Sequence, residues 1–194
     1  MVNEEKCQDK SDEEIVRLTI ENQDYLAVLI KRYEDKLLRY INRISNNSRE
    51  EAEDMVQEIF IKVYTNLNDF DPELKFSSWV YRIAHNHAIS NFRKNKARGI
   101  NEQIEIDEKL ANSLAGDINT VKEIDHILLK KSVNKILGRM ESKYREVLVL
   151  KYLEEKEYKE ISDILKKPMG TIATLINRAK KQFKIELDKQ RINI

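Results

Sequence analysis

The sequence predicts an all-α protein made of two small helical domains joined by a flexible linker. Glycine and proline together reach about 12% of an ordinary globular protein, but this chain of 194 residues has only four glycines and two prolines. Charged residues make up 36% of the chain and aromatic residues 7%, which is typical of solvated helices around modest cores. These observations exclude a β-sandwich, a barrel and a sheet of the Rossmann type.

The first predicted domain covers residues 11–97. Ser11 followed by Glu14 forms a capping-box pattern, which predicts the start of the first helix. After a polar break at residues 46–50, a further helix is predicted to run to about Leu67. Its buried face is predicted from apolar residues at helical spacing, namely Ala52, Met55, Val56, Ile59, Phe60, Val63 and Leu67.

The second predicted domain covers residues 120–190. A linker at residues 98–119 separates it from the first domain, because glycines and acidic residues break the helical pattern there. The chain ends with two helices around a short turn at Pro168, which is the spacing of a helix-turn-helix. The last helix is predicted to begin near Gly170 and to bury Ile172, Ile176, Ala179 and Phe183.

The outer face of the last helix is predicted to contact DNA. Short hydrogen-bonding side chains lie near its start and cations follow, in the order Thr171, Thr174, Asn177, Arg178 and Lys181. This order suits a helix in the major groove, where base edges are contacted first and phosphates later. A small helical hairpin with a solvated basic face remains the alternative.

The helix that ends near Leu67 has an acidic outer face, which we call the acidic stripe. Its members are Asp54, Gln57, Glu58 and Ile61. An acidic surface repels nucleic acid, and an isoleucine among polar residues is typical of a protein contact, so the stripe predicts a protein partner. A solvated face with one isolated isoleucine is the alternative.

The next helix is predicted to be capped by Ser77, to run from about Ser78 to Lys96, and to mix aromatic with basic side chains. Aromatic rings beside cations are what single-stranded DNA binding requires, because any base can stack and the cations follow the backbone. The candidates are Phe76, Trp79, Tyr81, Arg82, His85, Arg93 and Lys94. We interpret Trp79 as a core residue and expect Tyr81 and His85 to be exposed. A core helix that is apolar on both sides is the alternative.

Nothing in the sequence predicts catalysis. His85 and His87 are two positions apart and face different sides of a helix, and there is no glycine-rich phosphate loop or nucleophile elbow. We therefore predict no catalytic residue, no metal and no cofactor. The single cysteine, Cys7, favours a reducing compartment, and neither a signal peptide nor an apolar run of about 18 residues occurs. We expect a cytoplasmic protein without membrane contact.

Two segments resemble the extracytoplasmic-function (ECF) sigma factors of the bacterial sigma-70 family. Region 2 of that family is similar to AEDMVQEIFIKVYTNLNDFDPELKFSSWVYRIAHNHAISNFRKNK, and region 4 is similar to RMESKYREVLVLKYLEEKEYKEISDILKKPMGTIATLINRAKKQF. The order of the segments, the linker and the total length also match. The resemblance implies a factor that converts core RNA polymerase into a promoter-specific holoenzyme and performs no chemistry itself.

The resemblance also implies roles for individual residues. Those that match the segment docking on the clamp helices of the largest polymerase subunit are Asp54, Gln57 and Glu58. Those in the part that melts and reads the −10 element are Phe76, Trp79, Tyr81, Arg82 and Asn86. Those on the helix that enters the −35 major groove are Thr171, Thr174, Asn177 and Arg178.

Further partners implied by the resemblance are the flap of the second-largest subunit and an anti-sigma factor. The acidic linker matches the segment that passes through the polymerase channel. Ala173 and Leu175 stand where family members usually carry basic residues, a departure that concerns the −35 preference and not the fold. A stand-alone helix-turn-helix regulator and a helical, anti-sigma-like adaptor are the alternatives. The acidic stripe and the aromatic helix favour the sigma factor over both.

Overall fold

The computed structural model describes residue 7 and residues 9–45, 47–97 and 133–192. Within these ranges the regular elements are helices and no strand occurs, as the composition predicts. The first domain comprises α1 (Asp12–Glu21), α2 (Leu26–Ile44), α3 (Arg49–Thr65) and α4 (Phe76–Ala97), with short 3-10 turns at Gln23–Tyr25 and Leu67–Asp69.

The second domain begins, in its described part, with a helical segment at residues 133–139, here α5. It continues with α6 (Ser142–Leu148), a π-helical turn (Val149–Leu153), α7 (Tyr158–Leu165) and α8 (Met169–Ile192). The predicted linker at 98–119 and the predicted first residues of this domain lie outside the described residues. The domain boundaries therefore stay predictions.

Capping boxes begin two helices of the first domain, α1 and α3. At α1, the Glu14 backbone N–H donates to the Ser11 hydroxyl (3.2 Å) and the Ser11 N–H donates to the Glu14 carboxylate (2.7 Å), which confirms the prediction. Ser48 and Glu51 form the same reciprocal pair at the start of α3. Each box satisfies N–H groups that a helix cannot pair internally.

The buried face predicted for α3 is confirmed. Every apolar residue from Ala52 to Leu67 in that set is buried against the neighbouring helices. The helix itself ends at Thr65, and Leu67 reaches the core from the following 3-10 turn. Because the inner face of α3 is fully occupied by core contacts, its outer face is left to present the acidic stripe.

The start of α4 differs from the prediction, because Ser77 does not cap it. The helix begins at Phe76, whose backbone N–H donates to the Glu13 carboxylate at 2.8 Å. A carboxylate at this position satisfies an unpaired N–H and interacts favourably with the helix dipole. Since Glu13 belongs to α1, the N-terminus of α4 is stabilised by a helix that is distant in sequence.

The second domain contains the predicted helix-turn-helix. The buried face of α8 consists of Ile172, Ile176 and Ala179, with Phe183 partly buried, as expected. The preceding turn starts at Lys166, whose φ of 51° ends α7 in the left-handed conformation common after helices. The structure therefore contains the two helices and the short turn that the sequence predicts here.

The two domains contact each other directly. Helix α7 packs against α4, and α2 contacts α6 and the π-helical turn that follows it. Of the helices in the described ranges, none combines the length and the apolar character needed to cross a bilayer.

Candidate polymerase and DNA interfaces

The acidic stripe of α3 faces away from the core. Asp54, Gln57 and Glu58 are exposed, and Ile61 has 63% of its surface exposed. An isoleucine this exposed between polar neighbours gains nothing from the fold of the domain itself. The outward orientation expected for the stripe is confirmed, whereas its role in binding polymerase stays a prediction.

Glu58 also joins α3 to α4. One of its carboxylate oxygens lies 3.1 Å from Nε2 of His87, and the other ring nitrogen of His87 lies within hydrogen-bonding distance of Lys62. Burial lowers the pKa of His87, and the charge of Lys62 lowers it further. The imidazole is therefore neutral near pH 7, and its contact with Glu58 is a hydrogen bond rather than an ion pair.

An open cleft of about 440 Å³ lies between the end of α3 and the middle of α4. It brings together Trp79, Arg82 and Asn86 of the predicted −10 set, with Lys62 and Ser90 beside them. Asn86 is exposed and Arg82 is half-buried. The cleft therefore offers hydrogen-bonding and cationic groups beside Trp79, together with the carboxylate of Asp69.

Phe76 and Trp79 lie in the core of the first domain. Phe76 is completely buried, and its ring centroid lies 5.4 Å from that of Tyr33 and 5.7 Å from that of Phe70. Trp79 packs on Phe70 at 5.4 Å and is buried too, which confirms its interpretation as a core residue. In this conformation Phe76 has no surface that DNA can reach.

Tyr81 and His85 are not the exposed pair that the sequence predicts. Only 2% of the Tyr81 surface is exposed, its hydroxyl donates to the Glu154 carboxylate at 2.6 Å, and the Lys156 ammonium lies 4.5 Å above its ring. His85 lies 3.1 Å from the Tyr40 hydroxyl through Nδ1, and burial lowers its pKa to about 4. The expectation is wrong because the second domain covers this face of α4.

Carboxylates of the second domain make this contact, and the sequence reasoning missed them. Besides its bond to Tyr81, Glu154 pairs with Arg43 of α2 at 2.7 Å. Glu160 lies 3.4 Å from Lys75, and Glu146 lies 3.9 Å from His85. Burial raises the pKa of Glu146. The sequence gives no local signal for this contact, because residues 141–163 contain seven acids and five bases and these carboxylates do not stand out among them.

At the C-terminal end of α4, Arg93 and Lys94 are exposed. Their charges extend the cationic character of Arg82 along the helix. No carboxylate of the described chain forms an ion pair with either side chain within 4.0 Å. They are available to contact a polyanion.

The outer face of α8 is exposed as predicted. Its exposed residues are Thr171, Thr174, Asn177, Arg178 and Lys181. The Thr174 hydroxyl donates to the Gly170 carbonyl at 2.9 Å, so its proton is engaged and its oxygen remains able to accept. Leu175 is half-buried on the flank of this face. Among the residues that the structure describes, no group of metal-ligating side chains is found.

Both domains match known protein families. Residues 29–98 match the family described as Sigma-70 region 2, and residues 130–183 match the one described as Sigma-70, region 4. The ECF RNA polymerase sigma factor SigW of Bacillus subtilis (strain 168) is 34% identical over 175 residues. The match covers 86% of this chain and 90% of SigW.

Solved structures show a similar fold. CnrH in complex with the cytosolic domain of CnrY matches with a TM-score of 0.69 and 21% identity, covering 92% of this chain and 97% of the matched one. The sigma factor RpoE of Bartonella quintana, in complex with the anti-sigma factor NepR, matches with a TM-score of 0.59 and 20% identity, covering 88% and 98%. On the two family matches and the similarity to SigW, the chain belongs to the ECF sigma factors of the sigma-70 family and is a promoter-recognising sigma factor.

Proposed function

We propose that this sigma factor divides its work among three surfaces and acts in the cytoplasm with core RNA polymerase. The acidic stripe of α3 binds the clamp helices of the largest polymerase subunit, α4 opens and reads the −10 element, and α8 contacts the −35 element. The observation that supports this division is the separation of charge. Acids and Ile61 face outward on α3, whereas Arg93 and Lys94 are exposed on α4 and Arg178 and Lys181 on α8.

The acidic stripe has the composition of a protein contact. Its exposed isoleucine offers apolar area to bury, and the flanking carboxylates and amide offer directional contacts that a basic partner would satisfy. Since the stripe is supported by a fully packed inner face, it is rigid enough to be recognised without rearrangement. Region 4 is proposed to bind the flap of the second-largest subunit, and an anti-sigma factor is a further proposed partner.

Replacing both Gln57 and Ile61 by alanine should weaken binding to core polymerase by more than about tenfold, because truncating a central contact often costs more than about 1 kcal/mol. Helix content should be unchanged, since both side chains point away from the core. The measurement is a titration of labelled factor with purified core enzyme. The matched control is Arg49→Ala with Glu53→Ala, an exposed pair on the same helix outside the stripe.

The control variant should bind core within about twofold of the parent, since exposed ion pairs contribute little. Equal affinities for the stripe variant and the parent would show that the stripe is only a solvated face. The same titration tests the function as a whole, because a stand-alone DNA-binding regulator would not bind core polymerase.

For −10 recognition we propose that the cleft beside Trp79 receives unpaired DNA. Arg82 and Asn86 line it, and Arg93 and Lys94 continue the cationic path along α4. Tyr81 and His85 join this surface when the second domain moves away. Phe76 and Trp79 support the surface from the core rather than stacking on bases, in keeping with their burial.

For −35 recognition, Asn177→Ala should relax sequence preference, whereas Lys181→Ala should weaken binding about equally on all sequences. The first removes a base-edge contact worth about 1–3 kcal/mol, and the second removes a phosphate anchor and lowers the salt slope by about one charge. Holoenzyme titrations on promoters with altered −35 elements, at two salt concentrations, measure both effects.

Lys189→Ala serves as the control for that experiment, because Lys189 lies near the far end of α8 and pairs with Glu186 at 2.7 Å. We expect it to change neither the base preference nor the slope. If Asn177→Ala preserves the parent's base preference, another part of the helix reads the −35 sequence. Leu175, on the flank of the same face, would then be the next position to test.

A further inference from the structure

Gly170 lies in the first turn of α8, in line with the residues proposed to meet the −35 element. Positions 170, 174, 177, 178 and 181 are spaced i, i+4, i+7, i+8 and i+11, which places them along one side of an α-helix. All of them are exposed, and Gly170 alone has no side chain. The side of α8 that faces DNA therefore begins with uncovered backbone.

The fold of the second domain does not require a glycine at this position. The backbone of Gly170 is helical, which is a conformation that every L-residue adopts. Beyond the adjoining residues and the backbone of its own turn, no atom of the described chain lies within 4 Å of the point where a Cβ would stand. Glycine makes a helix less stable than alanine does, because it loses more conformational freedom on folding. The advantage of the missing side chain therefore lies outside the fold, and close approach of backbone to a ligand is such an advantage.

The Thr174 hydroxyl lies one turn further along the same face and is oriented by Gly170. It donates its proton to the Gly170 carbonyl at 2.9 Å, so towards a ligand it can only accept. The donors that base edges present in the major groove are amino groups, N4 of cytosine and N6 of adenine. Because a threonine side chain is short, it reaches such a group only when the helix backbone lies close to the base edge.

Side-chain length increases along this face of α8. Gly170 has no side chain, Thr174 and Asn177 have short ones, and Arg178 and Lys181 have long cationic ones. The face extends for about 16 Å along the axis at 1.5 Å per residue. Such a face fits DNA when the first turn lies closest to the bases and the later turns lie further away, where long side chains reach phosphates.

We propose that Gly170 and Thr174 act together in reading one base. The uncovered backbone at Gly170 admits a base edge to close range, and the Thr174 oxygen accepts a hydrogen bond from the amino group of a cytosine or an adenine there. The inference rests on the proposed role of α8 in −35 recognition and adds the base chemistry that is read at the start of the helix. Gly170 thus determines specificity although it has no side chain to contact DNA.

The experiment compares holoenzymes that contain the full-length parent, Gly170→Ala, Thr174→Val or Arg178→Ala. The probes are a duplex that the parent holoenzyme selects from a library randomised across the −35 element, and a second duplex with that element scrambled. Binding is titrated at two salt concentrations. Urea denaturation of each free factor measures stability, and titration with core polymerase verifies that each holoenzyme forms.

Gly170→Ala should unfold at a urea concentration equal to or above that of the parent, yet bind the selected duplex at least about fivefold more weakly. Its affinity for the scrambled duplex and its salt slope should be unchanged, because Arg178 and Lys181 still reach phosphates. If Gly170→Ala binds the selected duplex like the parent, or weakens binding to both duplexes equally, Gly170 is not a point of close approach and the inference fails.

The base contact of Thr174 is tested by removing amino groups from the selected duplex one at a time. Purine replaces each adenine and 2-pyrimidinone replaces each cytosine, so that only the donor is lost. At one position the parent should lose at least about fivefold in affinity, and Thr174→Val should lose nothing further there, as a double-mutant cycle requires for a direct contact. If Thr174→Val responds to every replacement as the parent does, Thr174 does not read an amino group and the inference is wrong.

Arg178→Ala separates failure of this inference from failure of the proposed function. Its loss of a cation should weaken binding to both duplexes and lower the salt slope. If Arg178→Ala has that effect while Gly170→Ala binds like the parent, α8 contacts the −35 element without close approach at Gly170. If neither variant changes binding, α8 does not contact this element, and the proposed function of the helix fails together with the inference.

Discussion

Phe76→Ala is expected to destabilise the first domain by about 3–5 kcal/mol, a large share of the stability of a small domain. The Phe76 ring is completely buried among the rings of Tyr33, Phe70 and Trp79, so its removal leaves a cavity that rigid aromatic neighbours cannot fill. Urea denaturation followed by circular dichroism measures the change. The variant should then lose promoter opening only to the extent that it loses folded protein.

The matched control is Phe92→Ala on the same helix. Phe92 has 39% of its surface exposed, so its truncation should cost less than about 1 kcal/mol. A Phe76→Ala variant that keeps the parent's stability while losing promoter opening would assign Phe76 a direct contact with DNA. That outcome would require α4 to expose a side chain that this fold buries.

Tyr81→Ala and Asn86→Ala should reduce transcription from duplex promoters by roughly 5- to 150-fold each, while templates opened in advance are affected less. For Tyr81 the lost contact is stacking, which contributes about 1–3 kcal/mol per base when the bases leave the duplex. For Asn86 it is a hydrogen bond from the amide to an unpaired base, of similar size. Run-off transcription on paired duplex and pre-opened templates gives the comparison. Tyr81→Phe retains the ring and should open promoters like the parent.

An equal loss on both templates would place Tyr81 and Asn86 in first capture of the promoter rather than in its melting. The two positions also differ in their surroundings, since Asn86 is exposed and the hydroxyl of Tyr81 contacts Glu154.

Local chemistry made much of this fold predictable. The capping box at Ser11, the inner face of α3 and the buried face of α8 each depend on residues a few positions apart, which a sequence displays directly. The acidic stripe was found for the same reason, because the spacing of Gln57 and Ile61 places both on the outer face of one helix.

Contacts between distant segments could not be predicted in this way. Nothing near Phe76 in the sequence indicates that the carboxylate of Glu13 accepts the hydrogen bond from its backbone N–H. In the same way, nothing near Tyr81 indicates that its hydroxyl will donate to Glu154. Acidic residues on amphipathic helices are usually solvated, so the sequence around Glu146 and Glu160 does not indicate that these two side chains are buried. The helical period predicts an exposed Tyr81, whereas the structure packs its ring on Tyr40 and its hydroxyl on Glu154, because the period contains no information about contacts with distant segments.

The hydrogen bond from Phe76 to Glu13 has a consequence for how the protein is made. It joins residues 63 positions apart, so the first turn of α4 receives its acceptor only after a long loop has closed. On the ribosome, α1 must wait roughly 3 to 13 s for that partner at synthesis rates of about 5–20 residues per second. The four helices of the first domain should therefore acquire their stability together, once α4 has been synthesised, rather than one helix at a time.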